Sequence, residues 1–214
     1  MKKEKPLGMR IGESVFCAGY LLFAATAAII FLKREGTFYH LCGLMTLLLG
    51  GGDAFHLIPR IIVNIKGETE KSPFWLGLGN LVSSITMTGF YLFLPKVLEA
   101  LTGKQITSTL WIILCLLAVI RVILCLFPGN RWFTHDDNGN WGIYRNIPFT
   151  VIGLITVGYL IVVYKGITMA ILVTLSFLCY LAVVLMAGKN PKMGMLMIPK
   201  TICYIWLIAI LLGR

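Results

Sequence analysis

Three ionisable residues recur on one side of a long apolar segment. Asp53, His56 and Arg60 are spaced i, i+3 and i+7, which places them on the same face of an α-helix. A carboxylate inside a membrane span is costly unless it is paired or kept neutral, so such residues mark functional sites by default. We therefore take Asp53 as a candidate catalytic residue that transfers a proton. His56 is a second candidate, with a purely structural hydrogen-bonding role as its alternative.

Two further cations lie inside apolar segments. Lys200 is the third candidate catalytic residue, and we expect its ammonium to pair with Asp53. Arg121 is a candidate substrate-binding residue. Both long side chains have a second interpretation, because they can reach the nearest membrane surface with their charged ends and simply anchor their helices.

Polar residues from several apolar segments are candidates for binding a substrate. The hydroxyl and amide groups among them have an alternative role, since such groups also tie membrane helices together. The candidates are Asn80, Ser83, Ser84, Arg121, Arg145, Asn146 and Tyr180.

The elements that must position these residues are transmembrane helices. The chain has 214 residues, of which 58% are hydrophobic, and a membrane-spanning helix needs roughly 20 apolar residues. Short hydrophilic connections leave no room for a soluble domain. We predict an all-α polytopic bundle, one domain over residues 1–214, with seven spans at about 14–32, 38–59, 74–94, 108–127, 146–164, 168–187 and 193–212.

The basic residues give an orientation rather than a nucleic-acid surface. The formal net charge is +10, but the positive residues are scattered among the connections. Cytoplasmic connections of membrane proteins carry an excess of Lys and Arg. With a cytoplasmic N-terminus, eleven of those outside the spans fall on the cytoplasmic side and six on the other. We therefore predict a multi-pass protein of the cell membrane whose N-terminus is cytoplasmic.

This orientation places the candidate residues at one depth. Asp53 lies about six residues before the cytoplasmic end of its span, which corresponds to roughly 9 Å. Lys200, Arg121 and the polar residues of the third span lie at a similar depth, whereas the other half of the bundle is almost entirely aliphatic. The sequence therefore predicts a polar cavity in the cytoplasmic half. Residues 50–52, all glycine, predict a smooth surface for close helix packing.

No metal or other cofactor is expected. The six cysteines all lie in predicted spans without metal-ligand spacing, so we interpret them as free thiols that pack in the bundle. The connection that contains His135, Asp136, Asp137 and the turn pair 138–139 has a weak calcium-like pattern. It lacks the remaining oxygen ligands of a calcium loop, and we interpret it as a solvated turn.

One region resembles a known family. The stretch Gly52-Asp53-Ala54-Phe55-His56-Leu57-Ile58-Pro59-Arg60, followed by Phe74-Trp75-Leu76-Gly77-Leu78-Gly79 and Phe90-Tyr91, is similar to YhhN/lysoplasmalogenase-like membrane proteins over residues 44–94. The resemblance implies hydrolysis of the vinyl-ether bond of lysoplasmalogen, with release of an aldehyde and a glycerophospho-base. It also implies two catalytic aspartates in the membrane.

The chain departs from the family pattern in three ways. Asp53 matches the first aspartate of the family, but residues 176–181 contain no acid where the second belongs. Residues 83–86 lack a histidine that is common there. Family members usually have eight spans, whereas seven are predicted here.

Three functional hypotheses follow from these patterns. The first is a lysoplasmalogenase-like hydrolase that acts on a lysophospholipid or another amphiphile, whose headgroup would meet Arg60, Arg121, Arg145 and Lys200. The second is a small-molecule transporter or binding protein in which the Asp53–Lys200 charge pair acts as a gate. The third is a structural or partner-binding membrane protein. Membrane lipids are the expected partners, and nucleic acid is not.

Overall fold

The structure is a computed structural model and describes residues 6–134, 139–186 and 191–214. Every regular element in these ranges is helical. The α-helices are α1 (Leu7–Lys33), α2 (Thr37–Lys66), α3 (Ser72–Thr102), α4 (Ser108–Leu126), α5 (Trp141–Tyr144), α6 (Asn146–Tyr159), α7 (Ile167–Met186) and α8 (Met197–Leu212). A π-helical segment, Leu160–Tyr164, extends α6, and 3₁₀ turns at Pro128–Asn130 and Pro191–Leu196 precede α5 and α8.

The helices confirm the predicted all-α membrane bundle. Six of them are long and apolar enough to cross a membrane, namely α1 to α4, the segment Trp141–Val162 and the segment Ile167–Val184. The seventh predicted span corresponds to α8, which is apolar but has only 16 residues and is preceded by the 3₁₀ turn. The chain is therefore a multi-pass membrane protein.

Two helices continue past interior prolines that lie at predicted span ends. We placed the end of the second span at Pro59 and that of the third before Pro95, but α2 continues to Lys66 and α3 to Thr102. A proline removes only one backbone donor, and close helix packing holds the chain on both sides of it. Both helices end instead at glycines with positive φ, a backbone conformation that only glycine adopts without strain.

The long helices form a closed ring. α2 packs between α1 and α3, α3 packs against α6, α6 against α7, α7 against α8, and α8 returns to α1. α4 lies outside this ring against α3 and α6. The ring brings the polar residues of sequence-distant helices to the same end of the bundle.

Glycines set how closely α2 approaches its neighbours. A Cβ at Gly50 would lie 2.8 Å from the Cβ of Ala24 in α1, and one at Gly52 would lie 1.8 Å from Oγ1 of Thr86 in α3. Nothing lies within 4 Å of a Cβ at Gly51. The predicted packing role is therefore confirmed for Gly50 and Gly52, but it is wrong for Gly51.

A second close approach is linked to Pro59. Because proline has no N–H, the carbonyl of Phe55, four residues earlier, loses its helical donor. A Cβ at Gly79 of α3 would lie only 2.3 Å from that carbonyl oxygen, so α3 can reach this point only with a glycine. The two helices are thus in backbone contact immediately beside Asp53.

The opposite end of the bundle is a dry apolar core. Its side chains come from the last turns of α1, α3 and α8 and the first turns of α2, and they include Phe31, Met45, Leu94, Leu98 and Leu211, all fully buried. Because lipid tails are as apolar as these side chains, the core stabilises the bundle through van der Waals packing between the helices. The core holds the helices together and leaves the other end free to remain open.

Candidate functional site

A cavity of about 710 Å³ opens at the polar end of the bundle. Side chains from α1, α2, α3, α4, α7 and α8 line it, together with the connection that follows α4. Nine of the ten predicted site residues contribute to this lining: Asp53, His56, Asn80, Ser83, Ser84, Arg121, Arg145, Tyr180 and Lys200. The membrane depth estimated for each residue along its own helix therefore predicted residues that lie around one cavity.

Asp53 is held by two hydroxyl donors. It is 7% exposed, and its Oδ2 accepts a hydrogen bond from Oη of Tyr20 at 2.8 Å. Its Oδ1 accepts one from Oγ of Ser83 at 3.1 Å. Both partners donate, so this arrangement satisfies the ionised carboxylate, and each oxygen keeps further acceptor capacity. The carboxylate is therefore oriented by α1 and α3 and is suited to accept a proton.

His56 lies about one helical turn after Asp53 on the cavity side of α2. Its Nδ1 is buried and has no hydrogen-bond partner among the described residues. The charges of Arg60, Asp53, Lys200 and Glu13 all act on its ring. The structure therefore gives Nδ1 of His56 no structural hydrogen bond among the described residues. The ring interacts with two cations and two carboxylates.

Lys200 is buried, but it does not form the predicted ion pair. Its side chain is 6% exposed, and Nζ lies 5.4 Å from the ring centroid of Tyr204 and 5.6 Å from that of Tyr180. It interacts electrostatically with Asp53, although the described residues include no direct contact between the two charges. The two tyrosine faces hold the ammonium because aromatic rings attract cations. The side chain is buried and lines the cavity, so it does not anchor α8 at the outer surface of the bundle.

Arg121 and Arg145 lie on the α4 side of the cavity. Arg121 is fully buried, with its Cζ 3.3 Å from the ring centroid of Phe149. The side chain of Arg145 donates from Nη1 to Oδ1 of Asn130 at 2.7 Å and lies over the ring of Trp132 at 4.3 Å. Complete burial excludes the surface-anchor interpretation for Arg121.

Asn146 is the predicted site residue that does not line the cavity. It is buried, its Oδ1 accepts a hydrogen bond from Oη of Tyr180 at 2.8 Å, and its Nδ2 donates to the carbonyl of Gly142 at 2.7 Å. The prediction of a direct substrate contact is therefore corrected. Asn146 fixes the orientation of Tyr180, which does line the cavity, because its position at the start of α6 points into the bundle wall.

The polar residues of α3 divide into two kinds. Ser83 bonds across to Asp53 and so ties α3 to α2, as the alternative interpretation held. Ser84 donates to the carbonyl of Asn80 within its own helix at 2.7 Å, and Asn80 is exposed at the cavity entrance. Only Ser83 therefore acts directly on the candidate catalytic group.

Sequence reasoning missed two residues that α1 contributes. Tyr20 donates to Asp53, and Glu13 lines the cavity and pairs with Arg60. A signal for Tyr20 was present: it lies 15 residues before Glu35 in the α1–α2 turn, and Asp53 lies 18 residues after it. Two antiparallel helices therefore bring them to similar depths. Glu13 was missed because the first span was predicted to begin at residue 14, whereas α1 begins at Leu7.

Thiols and metal ligands give no further site within the described ranges. None of the six cysteines forms a disulfide in these ranges, as predicted, and no group of three or more His, Cys, Asp or Glu side chains there is placed to hold a metal ion. The turn that contains His135, Asp136 and Asp137 lies outside the described residues.

Comparisons of the chain with protein-family models, with curated proteins and with solved structures find no match. The similarity of residues 44–94 to YhhN/lysoplasmalogenase-like proteins stays a prediction.

Proposed function

We propose that this protein is a membrane hydrolase that acts on a lysophospholipid or a related single-chain amphiphile in the cavity beside Asp53. One observation carries the proposal: an oriented carboxylate and an imidazole lie one turn apart on the wall of a cavity large enough for part of a lipid. The cavity wall is mixed, since Phe16, Leu57 and Met87 contribute apolar surface beside the charged groups. A mixed wall of this kind suits a ligand with an acyl chain and a polar headgroup.

The proposed roles follow from the hydrogen bonds of the two residues. Asp53, oriented by hydrogen bonds from Tyr20 and Ser83, accepts a proton from water. His56 has an unoccupied Nδ1 and, when protonated, donates a proton to the substrate. Such a divided acid and base is an effective arrangement for hydrolysis. Lys200 is a positioning residue whose charge interacts with that of Asp53 from the wall of the same cavity.

With a vinyl-ether substrate, which the family resemblance implies, the proposed steps balance. His56 protonates the outer alkene carbon, and the positive charge develops on the carbon bonded to the ether oxygen. Water adds there while Asp53 takes its proton. The resulting hemiacetal breaks its original carbon–oxygen bond while Asp53 returns its proton to the leaving alcohol oxygen and His56 takes the proton of the hemiacetal hydroxyl. The products are an aldehyde and an alcohol, and both residues regain their starting protonation.

The position where the resemblance implies a second aspartate carries no acid, but the cavity contains a second carboxylate on another helix. Glu13 of α1 lines the same cavity and acts on the His56 ring. It is occupied by Arg60, so we assign the proton transfer from water to Asp53. Glu13 contributes negative charge near the developing cation.

The decisive experiment is a cleavage assay on the purified full chain in detergent. Lysoplasmalogen, an ester-linked lysophospholipid and a saturated ether analogue are incubated separately, and aldehyde and fatty acid are measured by mass spectrometry. We expect aldehyde from the vinyl ether and no product from the saturated ether. Fatty acid from the ester would instead identify an ester as the bond cleaved.

Asp53→Asn provides the matched test because it keeps the size and most hydrogen-bonding capacity of the side chain. The rate should fall about 10²- to 10⁴-fold, while Glu68→Gln, in the exposed α2–α3 connection, should keep the wild-type rate. Full activity in Asp53→Asn, or no cleavage of either reactive lipid by the wild type, would rule out this function.

A transporter or binding protein is the second candidate, and one observation favours it. Asp53 and Lys200 line the same cavity without touching, so a ligand between them could alternate with a direct ion pair. Proton- or ion-coupled uptake into vesicles, lost in both Asp53→Asn and Lys200→Met, would support this alternative over the hydrolase.

A further inference from the structure

Arg121 is a buried cation whose hydrogen-bond donors are unused. Its Nε, Nη1 and Nη2 atoms are inaccessible to solvent and have no oxygen or nitrogen acceptor among the described residues. The thiol of Cys125, a weak acceptor, is the polar group beside the guanidinium. A guanidinium carries five N–H donors and is charged at any physiological pH. Its contact with the ring of Phe149 orients it but accepts none of these hydrogen bonds.

Such an arrangement is unfavourable without an anion. Burying an uncompensated charge is costly, and a cation–π contact offsets only part of that cost. Two other cations make the site less favourable still, since Arg121 interacts electrostatically with both Arg145 and Lys200. Like charges at close range raise the energy of one another.

The charged side chains that line the cavity also favour an anion. Its described lining contains the cationic side chains Arg60, Arg121, Arg145 and Lys200, besides Arg131, which has an interaction of its own, but only two carboxylates, Glu13 and Asp53. Glu13 is paired with Arg60, and Asp53 is the carboxylate beside Lys200. The α4 side therefore has an excess of positive charge that a ligand can neutralise.

The unused donors fit a tetrahedral oxyanion. Arg145 donates from Nη1 to Asn130, but its Nε is buried and has no acceptor in the described part of the chain. Together with the three nitrogens of Arg121, this leaves several buried donors next to the cavity on its α4 side. Planar guanidinium groups bind phosphate oxygens in forked pairs, and Lys200 adds a point charge.

We propose that Arg121, with Arg145 and Lys200, forms a binding site for a phosphate group. This inference rests on the proposed function for its setting and deepens it, because it gives the substrate a phosphate ester placed on the α4 side of Asp53. A phosphate ester of a lipid headgroup and free inorganic phosphate share the required chemistry. The phosphate supplies the acceptors that Arg121 lacks.

The test measures thermal unfolding of the purified full chain in dodecyl maltoside at constant ionic strength, set with sodium chloride. Inorganic phosphate, dodecyl phosphate and dodecanol are titrated separately. A ligand that binds the folded state raises the unfolding temperature in a saturable way. Saturation with dodecyl phosphate alone identifies a lipid phosphate, and equal saturation with inorganic phosphate identifies the free ion. Either result supports the site, whereas no phosphate-dependent shift overturns it.

Arg121→Met and Lys33→Met form a matched pair. Arg121→Met should weaken phosphate binding about 10- to 100-fold, as expected for lost charge-assisted hydrogen bonds, and should raise the unfolding temperature of the ligand-free protein because it removes a buried cation. Lys33→Met removes an exposed charge at the other end of α1 and should leave binding unchanged. Wild-type affinity in Arg121→Met overturns the proposal.

Arg121→Lys keeps the test decisive if Arg121→Met does not fold. A lysine retains the charge but cannot form the forked contact, so the dissociation constant for phosphate should rise about 10-fold. Unchanged affinity overturns the proposal.

The phosphate site and the hydrolase function can each be ruled out without the other. A phosphate-dependent shift without cleavage of any lipid retains the anion site and removes the hydrolase, and cleavage without any shift does the reverse.

Discussion

The two ends of the bundle use the same helices for opposite purposes. Around Leu94 and Leu98, α3 is fully buried among apolar side chains. Four turns earlier, the same helix presents Asn80 and Ser83 to a cavity of about 710 Å³. The comparison indicates that the dry end supplies the stability that allows the other end to keep buried charges, unused donors and open volume.

Equal truncations at the two ends should test this division most strongly. Leu94→Ala removes a fully buried side chain and should destabilise the protein by about 2–5 kcal/mol, with little change in the cleavage rate per folded molecule. Leu57→Ala, in the half-buried cavity wall, should cost less than about 1 kcal/mol because the space already communicates with the cavity. Thermal unfolding in detergent measures both. Equal losses would contradict a division between a stabilising end and an open end.

The next largest effect should come from the backbone contact between α2 and α3. A Cβ at Gly79 would lie 2.3 Å from the Phe55 carbonyl oxygen and 2.6 Å from the His56 Cα, so Gly79→Ala should cost about 1–3 kcal/mol and reduce cleavage by displacing His56.

Gly51→Ala is the control for that substitution. Open space surrounds its position, and alanine favours a helix over glycine by about 1 kcal/mol, so this variant should be slightly stabilised. Unfolding temperature and cleavage rate measure both variants. A stable, fully active Gly79→Ala protein would show that the close approach is not required.

The smallest effect should come from a single hydroxyl at the cavity. Tyr20→Phe removes one donor to Asp53 and should lower stability by about 1 kcal/mol and the cleavage rate by about 10-fold. Tyr39→Phe, at the other end of the bundle beside Arg34, should leave the rate unchanged. In an Asp53→Asn background, Tyr20→Phe should have no further effect on the rate. An additional loss there would show that Tyr20 acts independently of the carboxylate.

The fold and the depth of the site could be predicted from the sequence because both depend on lengths. About 20 apolar residues per span gave the helices, and a rise of about 1.5 Å per residue placed Asp53, Arg121 and Lys200 in one layer. These quantities do not depend on which helix packs against which.

The partners of the site residues could not be predicted because they depend on packing. Nothing local shows that Tyr20 rather than Lys200 contacts Asp53, or that Asn146 holds Tyr180 instead of reaching the cavity. The ends of α2 and α3 could not be predicted for a related reason. Pro59 and Pro95 stop an isolated helix more effectively than one whose neighbours hold both flanks, as α2 and α3 do here.

Pro59 separates a fixed part of α2, which carries Asp53, from the last two turns, which can bend relative to it. Asp53 precedes the missing hydrogen bond and is fixed by Tyr20 and Ser83, whereas Arg60 follows Pro59 and interacts with Glu13. Bending at Pro59 would carry the last two turns of α2 together with the first turns of α1, because Arg60 pairs with Glu13 and the side chain of Arg10 donates to the carbonyl of Asn64. The acid at the base of the cavity would stay in register, so the opening can change width without disturbing the proton acceptor.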